Sequence, residues 1–468
     1  MGAPSTRRGF LDRIFNPLLG ANPGHPFEIQ EALKKTDSAV DKLRRFGMLR
    51  TSILGASCAD IVRTDVFHDD ISMYVDSLDT AGPSSAASDI EIWLKVREKS
   101  RLMLRTGTDL GNAEGSAYGS LLWRNIFGGA ESLSLNASAG TRTRSSYAAI
   151  FDTPILSNPD LRLSIDGLAS STYKAWASHE ELLKGTSAKF KWITGSGGRH
   201  EVAYSAVWRQ ITSLANNASP SVRHDAGDTV KSSITHTWVD DRRNNPLLPS
   251  AGYMIKTISE IAGWGPLQGD VAFWKSEIET SAAQSVPLPG FPGDSGISIT
   301  SGFRAGVIYP LPNGMDTLSQ PSRINDRFQL GGPTDVRGFK IAGLGPRDGR
   351  DALGGDAYAA ASASLLLPLP RLGKDSPLRF QVFANGGRLL ALKHTGHREG
   401  MSHTAVRLNV CETVAELVRG LPSMTAGFGL VYAHPVARFE LNFSLPLVLR
   451  KGEEGRKGLQ FGVGINFL

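Results

Sequence analysis

A chain of 468 residues can hold two or three soluble domains, or one large barrel with an appendage. At 41% hydrophobic and 21% charged it falls outside the disordered class, and its 51 glycines suit frequent turns better than long helices. The net charge of +6 comes from scattered basic residues rather than a clustered stripe, which argues against a nucleic-acid partner.

Only two cysteines occur, Cys58 and Cys411, without CxxC or histidine spacing, so no disulfide framework, zinc site or other metal centre is expected. No stretch approaches the roughly 18 apolar residues of a membrane-spanning helix. The N-terminus is basic but lacks an apolar core ending in a cleavage site, so it is not a secretory signal.

Residues 8–46 read as helical, with Leu33, Val40 and Leu43 near one face. Two alternating runs follow: Ile71, Met73 and Val75 share a face, and so do Ile90, Ile92, Leu94 and Val96. Helices followed by a strand pair form a small α+β module over 1–99, and the stretch LDTAGPSSAAS between the two runs has loop composition.

From about residue 100 the pattern becomes alternation, and it persists to the end. In ESLSLNASAG, Leu133, Leu135, Ala137 and Ala139 face one way. In RFELNFSL, Phe439, Leu441, Phe443 and Leu445 oppose Arg438, Glu440, Asn442 and Ser444. In LQFGVGINFL, Leu459, Phe461, Val463, Ile465 and Phe467 oppose Gln460, Gly462, Gly464 and Asn466. Sixteen such segments can be counted. Their cores lie at 101–111, 116–127, 131–142, 145–155, 161–173, 181–193, 200–212 and 228–240. The others are 251–263, 270–281, 297–308, 355–368, 378–390, 423–433, 436–447 and 457–468. A propeller would repeat a blade signature about every 40 residues, which is not seen, and a sandwich of this many hairpins would be unusually large for one domain. The expected fold is an all-β, 16-stranded antiparallel transmembrane barrel over 100–468, its outer face in the lipid bilayer. Two connections break the hairpin rhythm: a glycine-rich loop at 309–354 and a helix at 404–419, with Val406, Val410, Val414 and Leu417 on one face.

The long loop contains RFQLGGPTDVRGFK, which resembles the sixth loop of the BamA-type outer-membrane assembly-factor superfamily. Its hallmark is Arg-Gly-Phe between the eleventh and twelfth strands, here Arg337, Gly338 and Phe339. Within that superfamily the segments 125–147, 151–163 and 433–447 resemble the barrel-subunit family of the mitochondrial sorting and assembly machinery, in a fungal-like form. The resemblance implies that the N-terminal module is a single POTRA domain facing the intermembrane space. A POTRA domain begins with a strand, whereas this chain opens at the first helix; the expected true start is therefore elsewhere, and the formal myristoylation pattern of Gly2 and Thr6 is discounted. Residues 48–64 read as an insertion in that module.

The resemblance also supplies site residues. In bacterial relatives the loop arginine meets an aspartate of a Phe-x-Asp-x-Gly stretch on the thirteenth strand, and the matching positions are Phe383, Asn385 and Gly387. Asn385 can accept a hydrogen bond from Arg337 but not form an ion pair, so further support for the arginine is expected elsewhere. Gln460, Gly462, Ile465 and Phe467 fit the pattern of mitochondrial barrel-targeting signals, and Gly462 and Gly464 thin the inner face of the last strand. Strand 1, from Arg101 through Thr106 and Thr108 to Gly111, would template incoming strands across a lateral gate. No nucleophile elbow, HExxH or Walker loop occurs, so neither enzyme activity nor a cofactor is expected. The implied function is insertion of β-barrel precursors into the mitochondrial outer membrane, with peripheral cytosolic-side subunits meeting the barrel, the 404–419 helix among the contacts. A passive or polypeptide-conducting pore is the other class the pattern allows.

Overall fold

The computed structural model describes residues 3–19, 29–48, 50–51, 62–63, 72–77, 90–111, 114–287, 295–314, 317–373, 376–393, 400–435, 437–464 and 467–468. Ile71, Ile465 and most of the expected 48–64 insertion lie outside them.

All sixteen expected segments are strands of one sheet. In chain order they are β1 (Leu102–Gly111), β2 (Glu114–Arg124), β3 (Ser132–Gly140), β4 (Thr143–Pro154), β5 (Leu161–Lys174), β6 (His179–Ile193), β7 (Arg199–Thr212) and β8 (Gly227–Asp241). There follow β9 (Gly252–Ala262), β10 (Phe273–Ser285), β11 (Ser298–Pro310), β12 (Ala357–Pro368), β13 (Leu378–Leu390), β14 (Ser423–Ala433), β15 (Arg438–Val448) and β16 (Gly458–Gly464). Each pairs antiparallel with its sequence neighbours, and β1 and β16 stand at the two ends of the hydrogen-bonded order. Their backbones approach within 8 Å, yet no ladder joins them among the described residues.

The alternation decides which face is which. On β15, Glu440, Asn442 and Ser444 are at most 2% exposed, while Leu441, Phe443 and Leu445 are about 40% exposed. Polar inside and apolar outside is the inverse of a water-soluble sheet, and it is how a barrel presents its wall to lipid. Luminal charges neutralise one another from strand to strand, as in Arg162–Asp152, Lys231–Glu260 and Arg304–Glu279.

The widest departure from the sequence expectation is at the end of the chain. β16 has seven residues, not the twelve of the expected segment, and the described Phe467 and Leu468 leave the wall for the lumen. Phe467, expected on the outer face, instead lies over the Arg337 and Arg438 guanidiniums. Leu468 is buried in the same apolar cluster as Phe328, Leu330, Val336 and Phe339. Burial of Leu468 and contact of an aromatic face with two cations outweigh the few ladder bonds that continuation would add.

Before the barrel come α1 (Arg8–Leu19), α2 (Ile29–Met48) and the strand pair Ser72–Ser77 with Ile90–Lys95. Phe10, Ile14, Val40, Leu43 and Phe46 form the core of the helix pair, with the Phe10 and Phe46 rings edge-on at 5.1 Å; Leu33 stays outside it. The barrel contributes to that core through Ala130, in the turn between β2 and β3. Nearby, the Arg7 amide donates to the Gly128 carbonyl at 2.8 Å, Arg7 pairs with Glu131, and Arg45 pairs with Asp160 in the turn after β4. These turns mark the module side of the barrel. The long connection 311–356, the short helix α3 (Pro220–His224) and α4 (His403–Arg419) belong to the opposite, loop side.

Candidate functional site at the luminal loop and the β1–β16 seam

The connection from β11 to β12 descends into the lumen rather than standing in solvent. Asp326, 1% exposed at its side chain, receives both Arg209 guanidinium nitrogens, at 2.6 and 3.1 Å, and Lys275 donates to its carbonyl at 3.0 Å. Further along the loop, and beside the same strands, Asp351 accepts from Ser178 Oγ and the Ser219 amide. Between these anchors Leu330, Val336, Phe339 and Leu344 pack with Ile308, Tyr358 and Leu389 of the wall. A loop held against the inner wall by buried charge at both ends and apolar packing between them is a fitted plug.

At its tip Arg337 is 1% exposed and meets a carboxylate on β15. Its Nε donates to Glu440 Oε2 at 2.9 Å, its Nη2 to Oε1 at 3.2 Å and its Nη1 to the Leu468 carbonyl at 3.2 Å. The Phe383 ring lies beneath the guanidinium, 5.0 Å from its centroid. Glu440 is shared, for Arg438 pairs with it at 2.6 Å, Asn442 Nδ2 donates at 2.7 Å and Gln381 Nε2 at 3.2 Å. Asn385 accepts a neutral hydrogen bond from Arg337, at the backbone rather than at the guanidinium. Its amide brackets the Arg337 backbone, accepting from the N–H at 2.9 Å and donating to the carbonyl at 3.2 Å, while the charge goes to Glu440. The physical reason is that a neutral amide cannot compensate a buried cation, whereas a carboxylate two strands along can do so bidentately.

The other two residues of the tripeptide are equally constrained. Gly338 adopts φ +83°, and a Cβ there would collide with the Thr425 side chain on β14. Phe339 is fully buried in the plug. The expected Gly387 gives room on β13: a Cβ would lie 2.8 Å from Leu330 and 3.2 Å from Val336.

The seam residues divide into two groups. Gln460 on β16 faces inward and holds the loop tip, its Oε1 accepting from the Gly338 amide at 2.8 Å and its Nε2 donating to the Phe339 carbonyl at 3.2 Å. Gly462 faces the same way, and a Cβ would lie 3.2 Å from both the Pro333 carbonyl and the Phe467 ring. Gly464 ends the ladder opposite Arg438. Across the seam, Thr106 and Thr108 lie opposite Gly119 and Ala117 on the outer face of β1, and Gly111 closes the strand opposite Glu114. Arg101 precedes β1 instead of belonging to it, donating to the Asn125 and Ile126 carbonyls of the β2–β3 turn. The loop tip is thus brought together with β13, β14, β15 and β16, and β1 is outside that network.

Sequence reasoning missed Glu440, Gln381, Arg438 and Asn442 as site residues, as well as the Arg209–Asp326 anchor. One signal was present: four polar residues on the inward face of β15, two of them opposite charges two positions apart, form a dense inner row for one short strand. Nothing in a single sequence pairs that row with a loop about 100 residues earlier.

Comparison with known proteins agrees with this geometry. Residues 125–467 match the Omp85 superfamily domain. A SAM50-like protein of Schizosaccharomyces pombe is 36% identical over 100% of this chain and 89% of its own. The human sorting and assembly machinery component 50 homolog is 32% identical over 94% of this chain and 84% of its own. Among solved structures, BamA from Haemophilus ducreyi lacking POTRA domains 1–3 superposes with a TM-score of 0.70, covering 99% of this chain and 83% of that one, at 15% identity, a likeness of fold. With sixteen strands in one sheet, an Arg-Gly-Phe loop seated in the lumen and these matches across the chain, the protein belongs to the SAM50 family of the Omp85 superfamily.

Proposed function

We propose that this protein inserts β-barrel precursors into the mitochondrial outer membrane, using the unjoined β1–β16 seam as a lateral gate. The observation that carries the reading is the pair of sheet ends with no connecting ladder among the described residues, beside a chain end whose Phe467 and Leu468 lie in the lumen. A free strand edge offers a row of unpaired N–H and C=O groups, and an incoming strand can satisfy them by β-augmentation. That exchange requires no nucleotide, cofactor or catalytic side chain. The plug then sets the stiffness of the β16 side through Gln460 and Arg337, while β1 remains free to receive a partner. The names borne by the relatives, sorting and assembly machinery component, support the same assignment.

The N-terminal module is read as a POTRA-like domain in the intermembrane space, with residues 1–99 as the module and 100–468 as the barrel. The loop side then faces the cytosol, where peripheral subunits of the assembly complex would meet it. The lumen that a passive pore would need open is occupied by the apolar plug around Phe339.

The test is disulfide trapping in isolated mitochondria. Cys58 and Cys411 are replaced, one cysteine is placed at Thr106 or Thr108, and a precursor carrying a cysteine in its last strand is imported. Adducts confined to one register, at positions two residues apart, are expected, because same-face neighbours on paired strands place their Cβ atoms about 4.5–5.5 Å apart. Import that proceeds with no adduct in any register would favour a pore and sink the templating reading.

A further inference from the structure

The helix α4 has an unexpected position. Arg388 on β13 belongs to the outer face of the wall, in a row with Ile278, Ala305 and Ala359. It is nonetheless only 5% exposed, and the outward-facing Ala357 is 1% exposed. What covers them is α4. The Arg388 guanidinium donates to the Glu416 carbonyl and, at 3.0 Å, to its carboxylate, and a Cβ on Gly420 would fall on the same guanidinium. At the other end of the helix His403 lies within 3.4 Å of Tyr309 Oη, itself opposite the outward-facing Trp274. The helix therefore runs along the outside of the barrel rim, over β11 to β13, rather than over the mouth of the lumen.

Its two flanks differ. Val406 and Thr413 are buried against the wall. On one flank, Asn409 donates to the Lys393 carbonyl at 3.1 Å, and Glu416 pairs with Arg388 and with Lys393. Lys393 follows β13 on the loop side, so this polar flank faces away from the barrel wall's apolar belt. The opposite flank carries Val410, Val414, Leu417 and Val418, with Leu421 just beyond the helix, at the spacing of a single stripe. Val418 and Leu421 are each 79% exposed. On the strands next to the helix the wall presents exposed, outward-facing Ala361 and Ala363 on β12 and Met424 on β14, three residues after Leu421.

We infer that α4 is an interfacial membrane anchor: its Val414–Val418–Leu421 flank enters the headgroup–acyl boundary of the leaflet on the loop side, with its polar flank in water. The occupant is lipid because the stripe lies beside a wall that already faces lipid. An amphipathic helix of this kind buries its apolar side about 5–10 Å into the boundary. Arg407, near the start of the helix, is long enough to reach the phosphates from that side. The helix also solves an electrostatic problem, since it covers with its carboxyl-terminal carbonyls and Glu416 a cation that would otherwise face hydrocarbon. This inference rests on the barrel being embedded in a bilayer.

The experiment uses the full chain with Cys58→Ser and Cys411→Ser, folded into phosphatidylcholine vesicles. Single cysteines at Val414, Val418, Glu412 and Arg419 are labelled with a small environment-sensitive fluorophore, and one at Leu445 reports on the barrel wall. Each is quenched either by phosphatidylcholine spin-labelled near the top of its acyl chain or by aqueous iodide. Labels at Val414 and Val418 are expected to show at least about twofold more lipid-borne quenching than those at Glu412 and Arg419, and correspondingly less from iodide. If iodide quenches all four alike while Leu445 is quenched by lipid, the anchor is refuted and the stripe awaits a protein. If Leu445 also escapes the lipid quencher, the embedding of the barrel is what fails. Reaction of the unlabelled single-cysteine proteins with a charged thiosulfonate gives a second readout, expected to be slower at Val418 than at Arg419; equal rates would count against the anchor.

Discussion

Glu440 serves two guanidiniums, and that asymmetry makes its neighbours unequal under substitution. Replacing Arg337 by Ala leaves the Arg438–Glu440 pair intact and removes hydrogen bonds to a charged group, each worth about 1.5–3 kcal/mol. Replacing Glu440 by Ala strands both Arg337 and Arg438 in a buried site, and breaking such a pair typically costs about 3–5 kcal/mol. E440A is therefore expected to lower the unfolding midpoint, followed by heat-modifiable gel mobility, further than R337A. The double variant should fall short of the sum, and equal effects of the two single changes would mean that Arg438 finds another partner. R337K should not restore the wild-type midpoint, because an ammonium cannot reproduce the forked contact with both carboxylate oxygens. Gly338→Ala faces both a positive φ and the Thr425 side chain; Thr425→Ala should recover only part of the loss, since the backbone strain stays. At this scale the tripeptide Arg337-Gly338-Phe339 was legible, and so was the need of the arginine for support beyond Asn385. The identity of Glu440 was not, because a strand's alternation tells which way a residue points and is silent on what meets it across the lumen.

Among the elements, β16 carries the most information. Its hydrogen bonds run to β15 on one side and, through Gln460, to the loop on the other, so it is tied to the plug more than to its barrel neighbour β1. Gln460→Leu removes two bonds to the loop tip and leaves the Gly338 amide without its acceptor in a buried setting, which costs about 1–3 kcal/mol. The expected result is loosened loop 311–356, measured as faster proteolysis near Lys340 with the sixteen-stranded sheet retained by circular dichroism; unchanged proteolysis would place the restraint elsewhere. Asp326→Asn should free the opposite anchor in the same assay, because Arg209 then lacks its bidentate partner. Strand positions were readable to within a few residues because lipid and lumen impose a period of two on every segment. The end of β16 was misread for the same reason: Phe467 continues the alternation, and only its contact with Arg337 and Arg438 shows that the chain has left the wall. The helix α4 was legible as a helix, yet its place outside the rim depends on Arg388, which from sequence is one more charged residue in a strand.

For the molecule as a whole, the module and the barrel meet through a small set of groups: Asn125, Gly128, Ala130, Glu131 and Asp160 from the barrel, and Ser5, Thr6, Arg7, Arg45 and the helix-pair core from the module. All of these barrel groups lie in the turns after β2 and β4, beneath the strands that follow β1. Ala130→Glu places a charge in the helix-pair core and should release the module while leaving the barrel folded. Distances between spin labels on α2 and on the β4–β5 turn would broaden in that variant, and a distribution as narrow as wild type would show that the ion pairs suffice. The barrel was legible at this scale because its pattern repeats sixteen times; the attachment was not, since it depends on one alanine and a few polar groups in two short turns.

That alanine has a consequence for how the chain acquires its structure. The apolar core around Phe10, Ile14, Val40, Leu43 and Phe46 is closed by a residue supplied from a turn more than eighty positions downstream. Synthesised first, the two helices gain that contact only when β2 and β3 have paired and their turn has formed. Maturation of the appendage thus reports on the birth of the barrel: a helix pair that protects its amide hydrogens from exchange has been countersigned by the second hairpin.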